Sequence, residues 1–593
     1  MNLNNVIEAK NVSKIFVQSG KDDVVALKNI NFTAEKGKIN ILVGPDSSGK
    51  TTFLRLCAGL LNITSGDIFI LNKDIKADKQ FIQSNISYMP QKFGLYEDLT
   101  VHENITLYAK LFGIKGEAKE QKYKQLLEIT DLTRFKDRLA GNLSGGMKQK
   151  LGLACTMISN PKVLLLDEPC VGVDPLSRRD LWKIIKDLAK TSECSIIVST
   201  AYIDECEHAD KVTIFHEGEI IANMTSDDLK NVAKGKTYTV KISKEFNQRE
   251  VQAFLIEQHQ QIIDAIPLSG NINITIMEGK TIEKIIEEIP LLKNFTIEER
   301  PSSYEDGFMQ IFRNKKSKYA EFKDKIQLNE QTTQKENANT TPIIDIKDLV
   351  KKFDKFTAVN HTSFNVSKGE IFGLLGPNGA GKTTTFKILC GLIPATSGCA
   401  TVAGYDLFTS RDIARKKIGY VAQKFSLYGD LSVLENLKFF GGIYGIPKKQ
   451  LKFRIEEVIN DYELYDVLND KSGELPGGYK QRLSMAVGTI HKPEILFLDE
   501  PTSGIDPLAR RMFWHKISLI AQNGTTIIIT THFLEESEYC NKIMIQDGGQ
   551  MIAFGTPKEV RQQGGESENS PLTMEQVFIN IVEQSRGDSK WKQ

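Results

Sequence analysis

The sequence contains no uninterrupted apolar run of the roughly 18 or more residues that a membrane-spanning helix needs, although 40% of its 593 residues are hydrophobic. Its N-terminal stretch, MNLNNVIEAKNVSKIF, lacks the basic-then-apolar layout of a signal peptide. These absences predict a soluble, cytoplasmic chain. A charge excess is missing too, since 76 Lys and Arg balance 75 Asp and Glu. That balance argues against a broad nucleic-acid-binding surface, so we expect no nucleic-acid partner.

The eight cysteines are scattered along the chain, and no two of them form a C-x-x-C pair. This distribution is not that of a zinc site, and it gives no sign of a disulfide framework. We therefore expect reduced thiols, most of them packed in the interior.

The sequence does contain one phosphate-binding pattern twice. The Walker A pattern G-x-x-x-x-G-K-[ST] occurs as GPDSSGKT from Gly44 and as GPNGAGKT from Gly376. Its lysines lie 332 residues apart. The same offset relates four further pairs: Gln91 and Gln423, Gly145 and Gly477, Asp167 and Asp499, and Asp174 and Asp506. The chain therefore holds an internal duplication of a whole ATPase domain.

Each Walker A loop lies between a predicted strand and a predicted helix, which is the context that makes the motif credible. The apolar stretches INILVGP and IFGLLGP lead into the loops, and TTFLRLCAGLL and TTTFKILCGLI follow them. VLLLDEP and ILFLDEP read as buried parallel strands because they are continuously apolar. We predict an α/β fold with two P-loop ATPase domains in tandem, at 1–230 and 343–560.

The region between the copies has another pattern. YTVKI from Tyr238 and INITI from Ile272 alternate like strands of a half-exposed sheet, with helical segments near 248–259 and 281–289. We predict a small α+β accessory domain at 231–313. Residues 314–342 are polar and predict a flexible linker. TMEQVF from Thr573 echoes SYEDGF from Ser303, so 561–593 is predicted as a second capping helix with a tail.

The residue types of the motifs point to nucleotide hydrolysis. Backbone N–H groups of a Walker A loop point at phosphate oxygens, the lysine adds positive charge, and the threonine hydroxyl can hold Mg²⁺. Asp167 and Asp499 end apolar strands, where a carboxylate can hold Mg²⁺ or its waters. The adjacent Glu168 and Glu500 can polarise an attacking water.

LSGGM from Leu143, followed by KQKLGLA, resembles the signature of ATP-binding-cassette (ABC) ATPases. The resemblance covers both copies, and in that family two domains dimerise head to tail. Each ATP then lies between the Walker motifs of one domain and the signature of the other. The resemblance therefore implies two composite sites within this one chain. It also implies that the candidate ligands of Mg²⁺ are Thr51, Gln91, Asp167, Thr383, Gln423 and Asp499.

The first composite site is expected to be incomplete. Its signature, LPGGY from Leu475, has Pro476 where the family has serine, and proline offers neither a hydroxyl nor an N–H. Ala201 stands where the family places a histidine near the γ-phosphate. The cofactor-binding candidates of this site are Gly44, Pro45, Ser48, Gly49, Lys50, Thr51, Thr52, Gln91, Gly477 and Gly478, with Glu168 as its candidate catalytic residue.

The second composite site has every element that the family leads us to expect. Its catalytic candidates are Glu500, Gln423 and His532. Its cofactor-binding candidates are Gly376, Pro377, Asn378, Gly379, Ala380, Gly381, Lys382, Thr383, Thr384, Ser144, Gly145, Gly146 and Asp174, the last of which should reach across from the first copy. Asp506 is the duplicate of Asp174 and a further candidate. We predict a hydrolytic second site and a first site that binds ATP and turns over slowly.

Two aromatic residues precede the Walker A loops. Phe16 and Phe353 stand where the family stacks a ring on adenine, and core packing is the competing interpretation.

The segments from Gln91 and Gln423 look like those of drug-export ATPases, which pair with separately encoded permeases. Tandem ABC subunits of bacterial type-2 multidrug exporters resemble this chain over nearly its full length. That resemblance implies ATP and Mg²⁺ as cofactors and two integral membrane permeases as partners, with a periplasmic adaptor protein as a further candidate. It also implies a peripheral position on the inner face of the cell membrane. Two alternatives stay open: a ribosome-associated tandem ABC translation or antibiotic-resistance factor, and the ATPase of a tandem-type importer.

Overall fold

The computed structural model describes most of the chain. The described ranges are 4–17, 23–91, 94–191, 194–243, 245–315, 342–354, 356–423, 425–502, 505, 507–531, 533–567, 570 and 572–589. Residues 316–341 of the predicted linker lie outside these ranges, as do the predicted site residues Asp506 and His532. Below, "first half" denotes 1–230, "inter-half region" 231–313 and "second half" 343–560.

The first half contains ten strands and seven α-helices within its described residues. The strands are β1 (Asn5–Phe16), β2 (Val24–Glu35), β3 (Ile39–Val43), β4 (Ser65–Ile70), β5 (Lys73–Asp74), β6 (Ile86–Met89), β7 (Val163–Asp167), β8 (Ser195–Ser199), β9 (Lys211–His216) and β10 (Glu219–Thr225). The helices are α1 (Lys50–Cys57), α2 (Lys79–Asn85), α3 (Val101–Leu111), α4 (Gly116–Ile129), α5 (Gly145–Met157), α6 (Pro175–Thr191) and α7 (Ser226–Asn231).

The inter-half region adds four strands and three helices. They are β11 (Thr237–Lys241), α8 (Gln248–Glu257), β12 (Ile262–Leu268), β13 (Asn271–Ile276), α9 (Ile282–Glu288), β14 (Thr296–Glu299) and α10 (Tyr304–Lys315).

The second half repeats the first, and one further helix follows it. The strands are β15 (Ile344–Phe353), β16 (Phe356–Val366), β17 (Ile371–Leu375), β18 (Ser397–Val402), β19 (Tyr405–Asp406), β20 (Ile418–Val421), β21 (Ile495–Asp499), β22 (Thr526–Thr530), β23 (Lys542–Asp547) and β24 (Gln550–Gly555). The helices are α11 (Lys382–Leu389), α12 (Arg411–Arg415), α13 (Val433–Ile443), α14 (Lys448–Asp461), α15 (Gly477–Thr489), α16 (Pro507–Gln522), α17 (Pro557–Gln563) and α18 (Met574–Ser589).

Both halves are built on the same pair of sheets. A six-stranded sheet has the order β10-β9-β3-β8-β7-β6 in the first half and β24-β23-β17-β22-β21-β20 in the second. Its strands pair in parallel except at the β10 and β24 edges. Apolar clusters cover both faces, so β3, β7 and β8 are buried along their whole length. An antiparallel sheet of order β2-β1-β4-β5 or β16-β15-β18-β19 completes each half.

The sheet of the inter-half region is antiparallel, with the order β12-β13-β11-β14. The chain order β-α-β-β-α-β makes this a split βαβ unit. The helices α8 and α9 pack against the sheet around Val240, Leu255 and Ile285. The limits 231–313 remain a prediction.

The inter-half region docks on the second half through buried polar contacts. Arg511 Nε on α16 lies 3.0 Å from Asp264 Oδ1 on β12, and both side chains are at most 5% exposed. His515 Nε2 lies 2.9 Å from Glu257 Oε1. Ser269 N donates to Glu538 Oε2 over 2.8 Å. These contacts tie a domain that follows the first half to the opposite half.

The two echoed sequence segments form helices that cross between the halves. On α10, Glu305 Oε1 accepts from Arg511 of the second half over 2.7 Å. On α18, Glu575 Oε2 accepts from Arg178 of the first half, also over 2.7 Å. The halves are thus bonded to one another at both terminal helices. In the described ranges, no helix is long and apolar enough to cross a membrane.

Candidate functional site

Each Walker A loop begins with a glycine that no other residue could replace without strain. Gly44 follows β3 with φ +150°, and a Cβ there would lie 2.1 Å from Phe215 O. Gly376 follows β17 with φ +151° and would meet Gln546 O at the same distance. The loops enter α1 and α11 through Gly49 and Gly381, which are both left-handed. Both loops are therefore drawn tightly against the neighbouring strand.

The Walker A lysines are buried inside their loops. Lys50 Nζ donates to Gly44 O over 2.7 Å and to Pro45 O over 2.9 Å. Lys382 Nζ makes the equivalent bonds to Gly376 O and Pro377 O, at 2.5 and 3.0 Å. An ammonium group held under a helix N-terminus is suited to an anion such as a triphosphate.

Charges from both halves act on Lys382. Burial lowers its pKa, whereas the carboxylates of Glu500 and Asp174 raise it. Asp174 belongs to the first half, where it also caps α6 by accepting from Ser177 N over 3.1 Å. The predicted reach of Asp174 toward the second site thus has an electrostatic counterpart in the structure.

The strand-end aspartates lie among hydroxyl groups. Asp167 Oδ1 accepts from Thr51 Oγ1 over 2.9 Å and from Ser199 Oγ over 2.6 Å. In the second half, Asp499 Oδ1 accepts from Thr530 Oγ1 over 2.7 Å, and burial raises the Asp499 pKa. Carboxylate and threonine oxygens are the donors that Mg²⁺ prefers beside phosphates. The residues present therefore fit a Mg²⁺–nucleotide.

The adjacent glutamates are held in a strained conformation. Glu168 has φ +50° and Glu500 has φ +47°, the left-handed region that residues other than glycine seldom adopt. Gln91 Nε2 donates to Glu168 Oε2 over 2.5 Å, and Gln423 Nε2 donates to Glu500 Oε2. Each predicted glutamine is therefore in contact with the glutamate of its own half.

The first site carries one more carboxylate than the sequence reasoning recognised. Asp46 occupies the loop position of Asn378. Burial raises the pKa of Glu168 to about 7, and the negative charges of Asp46 and Asp167 add to this rise. The difference between GPDSSGKT and GPNGAGKT was the available signal.

The signature of the first half faces the Walker A loop of the second half. Asn378 Nδ2 donates to Gly172 O over 3.3 Å. A Cβ added at Gly145 would lie 3.4 Å from the same nitrogen. Ser144 caps α5 by accepting from Met147 N over 3.4 Å. The second composite arrangement is therefore brought together by two segments of the first half.

The reciprocal arrangement brings α15 to the first Walker A loop. A Cβ added at Gly477 would lie 3.9 Å from Asp46 Oδ2. Pro476 is the N-cap of α15 and provides no side-chain cap. Ala201, just beyond β8, is buried. Proline and alanine therefore stand where the second site draws on Ser144 and on residue 532.

The remaining predicted residues surround these loops. Thr52 and Thr384 lie in the first turns of α1 and α11, after Thr51 and Thr383. Phe16 and Phe353 are 36% and 47% exposed. A lysine ammonium lies 4.9 Å from the centre of each ring. The rings are thus not core residues, and adenine stacking stays a prediction.

Comparisons with known proteins agree along the chain. The family model described as "ABC transporter" matches residues 27–171 and 359–503. The "Probable multidrug ABC transporter ATP-binding protein YbhF" of Escherichia coli (strain K12) is 42% identical over 560 residues, covering 94% of this chain and 95% of that protein. The "Linearmycin resistance ATP-binding protein LnrL" of Bacillus subtilis (strain 168) is 41% identical over 37% of this chain and 70% of its own length. A solved "ATP binding subunit of ABC transporter" matches 40% of this chain and 99% of its own, at 26% identity and a TM-score of 0.38.

Proposed function

The chain belongs to the ABC transporter family, as an ATPase with two ABC domains in tandem, and from that premise we propose that it powers a membrane exporter through separate permease subunits. The observation that carries this proposal is the 42% identity to a multidrug transporter ATP-binding protein over 94% of the chain. That similarity spans both halves and the inter-half region. The substrate class proposed is therefore drugs or other small toxic compounds.

An apolar hollow beside the first-half glutamine supports a permease partner. It has a volume of about 600 Å³, and Leu60, Tyr108 and Phe112 line it next to Pro90. Leu60 and Phe112 are 57% and 42% exposed. Exposed apolar surface of this kind is typical of an interaction site. A permease helix seated there would press on the segment that carries Gln91.

The second half offers a comparable surface. A hollow of about 570 Å³ is lined by Ile393, Phe408 and Ile413, and Phe408 and Ile413 are about half exposed. Two separate surfaces fit two permease subunits, one for each half.

We assign hydrolysis to the second composite site. Lys382 would bind the β- and γ-phosphates, and Glu500 would polarise the attacking water in contact with Gln423. Ser144 and Gly145 would hold the phosphates from the other half. Thr383, Asp499 and Gln423 would hold Mg²⁺, which neutralises developing phosphate charge when bound. The first site would bind ATP through Lys50, Thr51 and Asp167 and turn it over slowly.

The test is a tagged pull-down from native membranes in mild detergent, with co-purifying proteins identified by mass spectrometry. Recovery of two integral membrane permeases supports the exporter subunit and provides the proteins needed to find a substrate. Recovery of ribosomal proteins without a permease would overturn the proposal in favour of a translation factor. A solute-binding protein recovered together with permeases would indicate import instead.

A further inference from the structure

In the second half, one buried carboxylate joins two loops beside the nucleotide. Thr502 follows the Glu500 segment, beyond the end of β21, and Thr531 follows β22. Both hydroxyls donate to Glu536 Oε2, Thr502 over 2.8 Å and Thr531 over 2.6 Å. Glu536 is 1% exposed and lies in the 3₁₀ helix Leu534–Tyr539. The carboxylate therefore clips together the loops that leave two adjacent parallel strands.

This clip is connected to the water-polarising residue. Glu500 N donates to Thr530 Oγ1 over 2.9 Å and to Thr530 O over 3.1 Å. Thr502 and Thr531 extend that contact by two residues on one side and one residue on the other. Hydrogen bonds to a buried carboxylate are stronger than neutral ones. The clip can therefore hold Glu500 in its left-handed conformation.

The first half keeps the carboxylate and lacks the hydroxyl. Glu205 occupies the position of Glu536, and Cys170 that of Thr502. Within the described residues, neither carboxylate oxygen of Glu205 receives a hydrogen bond. A thiol is a weak donor compared with a hydroxyl, so the first half has no equivalent clip.

We propose that Thr502 and Glu536 are positioning residues for the second site, and that the thiol of Cys170 leaves the corresponding segment of the first site unclipped. Neither residue contacts the reacting atoms. Each acts through the backbone that carries Glu500. The inference rests on the proposal that the second site hydrolyses ATP, and it adds a third difference between the sites to Pro476 and Ala201.

The test exchanges the two residues in the full-length chain. Thr502→Cys gives the second half the residue of the first, and Thr502→Ser keeps the hydroxyl. We expect Thr502→Cys to lower kcat for ATP about tenfold with little change in KM, since a small misplacement of a catalytic group can cost that much. Thr502→Ser should restore most of the loss. A purely structural role would move the two variants together with the melting temperature.

A second readout needs neither nucleotide nor turnover. In the nucleotide-free protein, Thr502→Cys should speed amide hydrogen exchange in peptides that cover 500–502, and Cys170→Thr should slow it in peptides that cover 168–170. Unchanged exchange at both places would overturn the clip. If Glu500→Gln abolishes turnover but Thr502→Cys leaves kcat unaltered, the clip fails while the hydrolytic assignment stands. If Glu500→Gln and Glu168→Gln lower turnover equally, the asymmetry itself fails.

Discussion

The two halves have the same sheets and differ in the side chains that approach the phosphates. Both keep the buried lysine, the strand-end aspartate and the strained glutamate. The first site also carries Asp46 and the buried Ala201, and it faces Pro476. None of these three changes disturbs the fold, because Asp46 lies in a loop, Ala201 is a small buried residue and Pro476 is an N-cap, where proline is tolerated. The comparison teaches that the groups that grip a nucleotide can persist after the groups that complete hydrolysis are gone.

The sharpest test of the comparison removes one glutamate at a time. We expect Glu500→Gln to lower steady-state ATP turnover by ~10²-fold or more, because one preorganised transition-state group is lost. Glu168→Gln should lower it by less than about threefold on the same reasoning. Nucleotide affinity, measured by calorimetry, should persist in both variants. Equal losses of turnover would refute two unequal sites.

A second test exchanges the signature residues. Ser144→Pro should lower turnover about tenfold or more, since it removes a phosphate donor from the second site and leaves α5 with the N-cap that α15 already tolerates. Pro476→Ser should change turnover little, because Asp46 and Ala201 remain at the first site. ATPase assays of the two variants, with circular dichroism as the control for folding, decide this. A gain from Pro476→Ser that equals the loss from Ser144→Pro would contradict the assignment.

A third test compares two ion pairs that join the parts of the chain. Arg511 and Asp264 are buried, so Arg511→Met leaves an unpaired carboxylate, which we expect to cost about 3–5 kcal/mol of unfolding free energy. Arg179 and Glu583 lie 2.9 Å apart but are about half exposed, so Arg179→Met should cost less than about 1 kcal/mol. Chemical denaturation measures both. Similar costs would show that the inter-half region does not brace the second half.

The smallest effect concerns pH and affects both halves alike. Burial lowers the pKa of His208 and of His491 to about 4, from the ordinary value of 6.5. Both imidazoles are therefore neutral when folded, whereas the unfolded chain takes up protons below about 6.5. The stability they contribute is present above that pH and is lost as the pH falls toward 4.

Thermal unfolding between pH 7 and pH 5 measures this effect. Stability should fall with pH, and the fall should be shallower in His491→Gln, which keeps a side-chain N–H for Ile418 O. His208→Gln offers the same comparison in the first half. An unaltered slope in both variants would exclude these histidines as its cause.

Much of the site was predictable from motif spacing. The strand–loop–helix context of Lys50 and Lys382 and the strand-end position of Asp167 and Asp499 follow from local patterns, and the structure has them. Strands β12 and β14 were not predicted. β12 contains Pro267 and β14 is the short polar TIEE, so neither shows the alternation of a half-exposed strand. Asp46 was visible in the sequence, but its consequence for Glu168 depends on burial.

The sequence by itself determined the duplication, the α/β fold of each half and the unequal motifs, because these are local properties of short segments. Only the tertiary structure decided which distant residues meet. The contacts of Asn378 with Gly172, of Arg511 with Asp264, and of Glu536 with Thr502 join positions whose separation along the chain carries no pattern. Burial then decided their chemistry, since a carboxylate acquires its pKa and its partners from the surroundings that the fold provides.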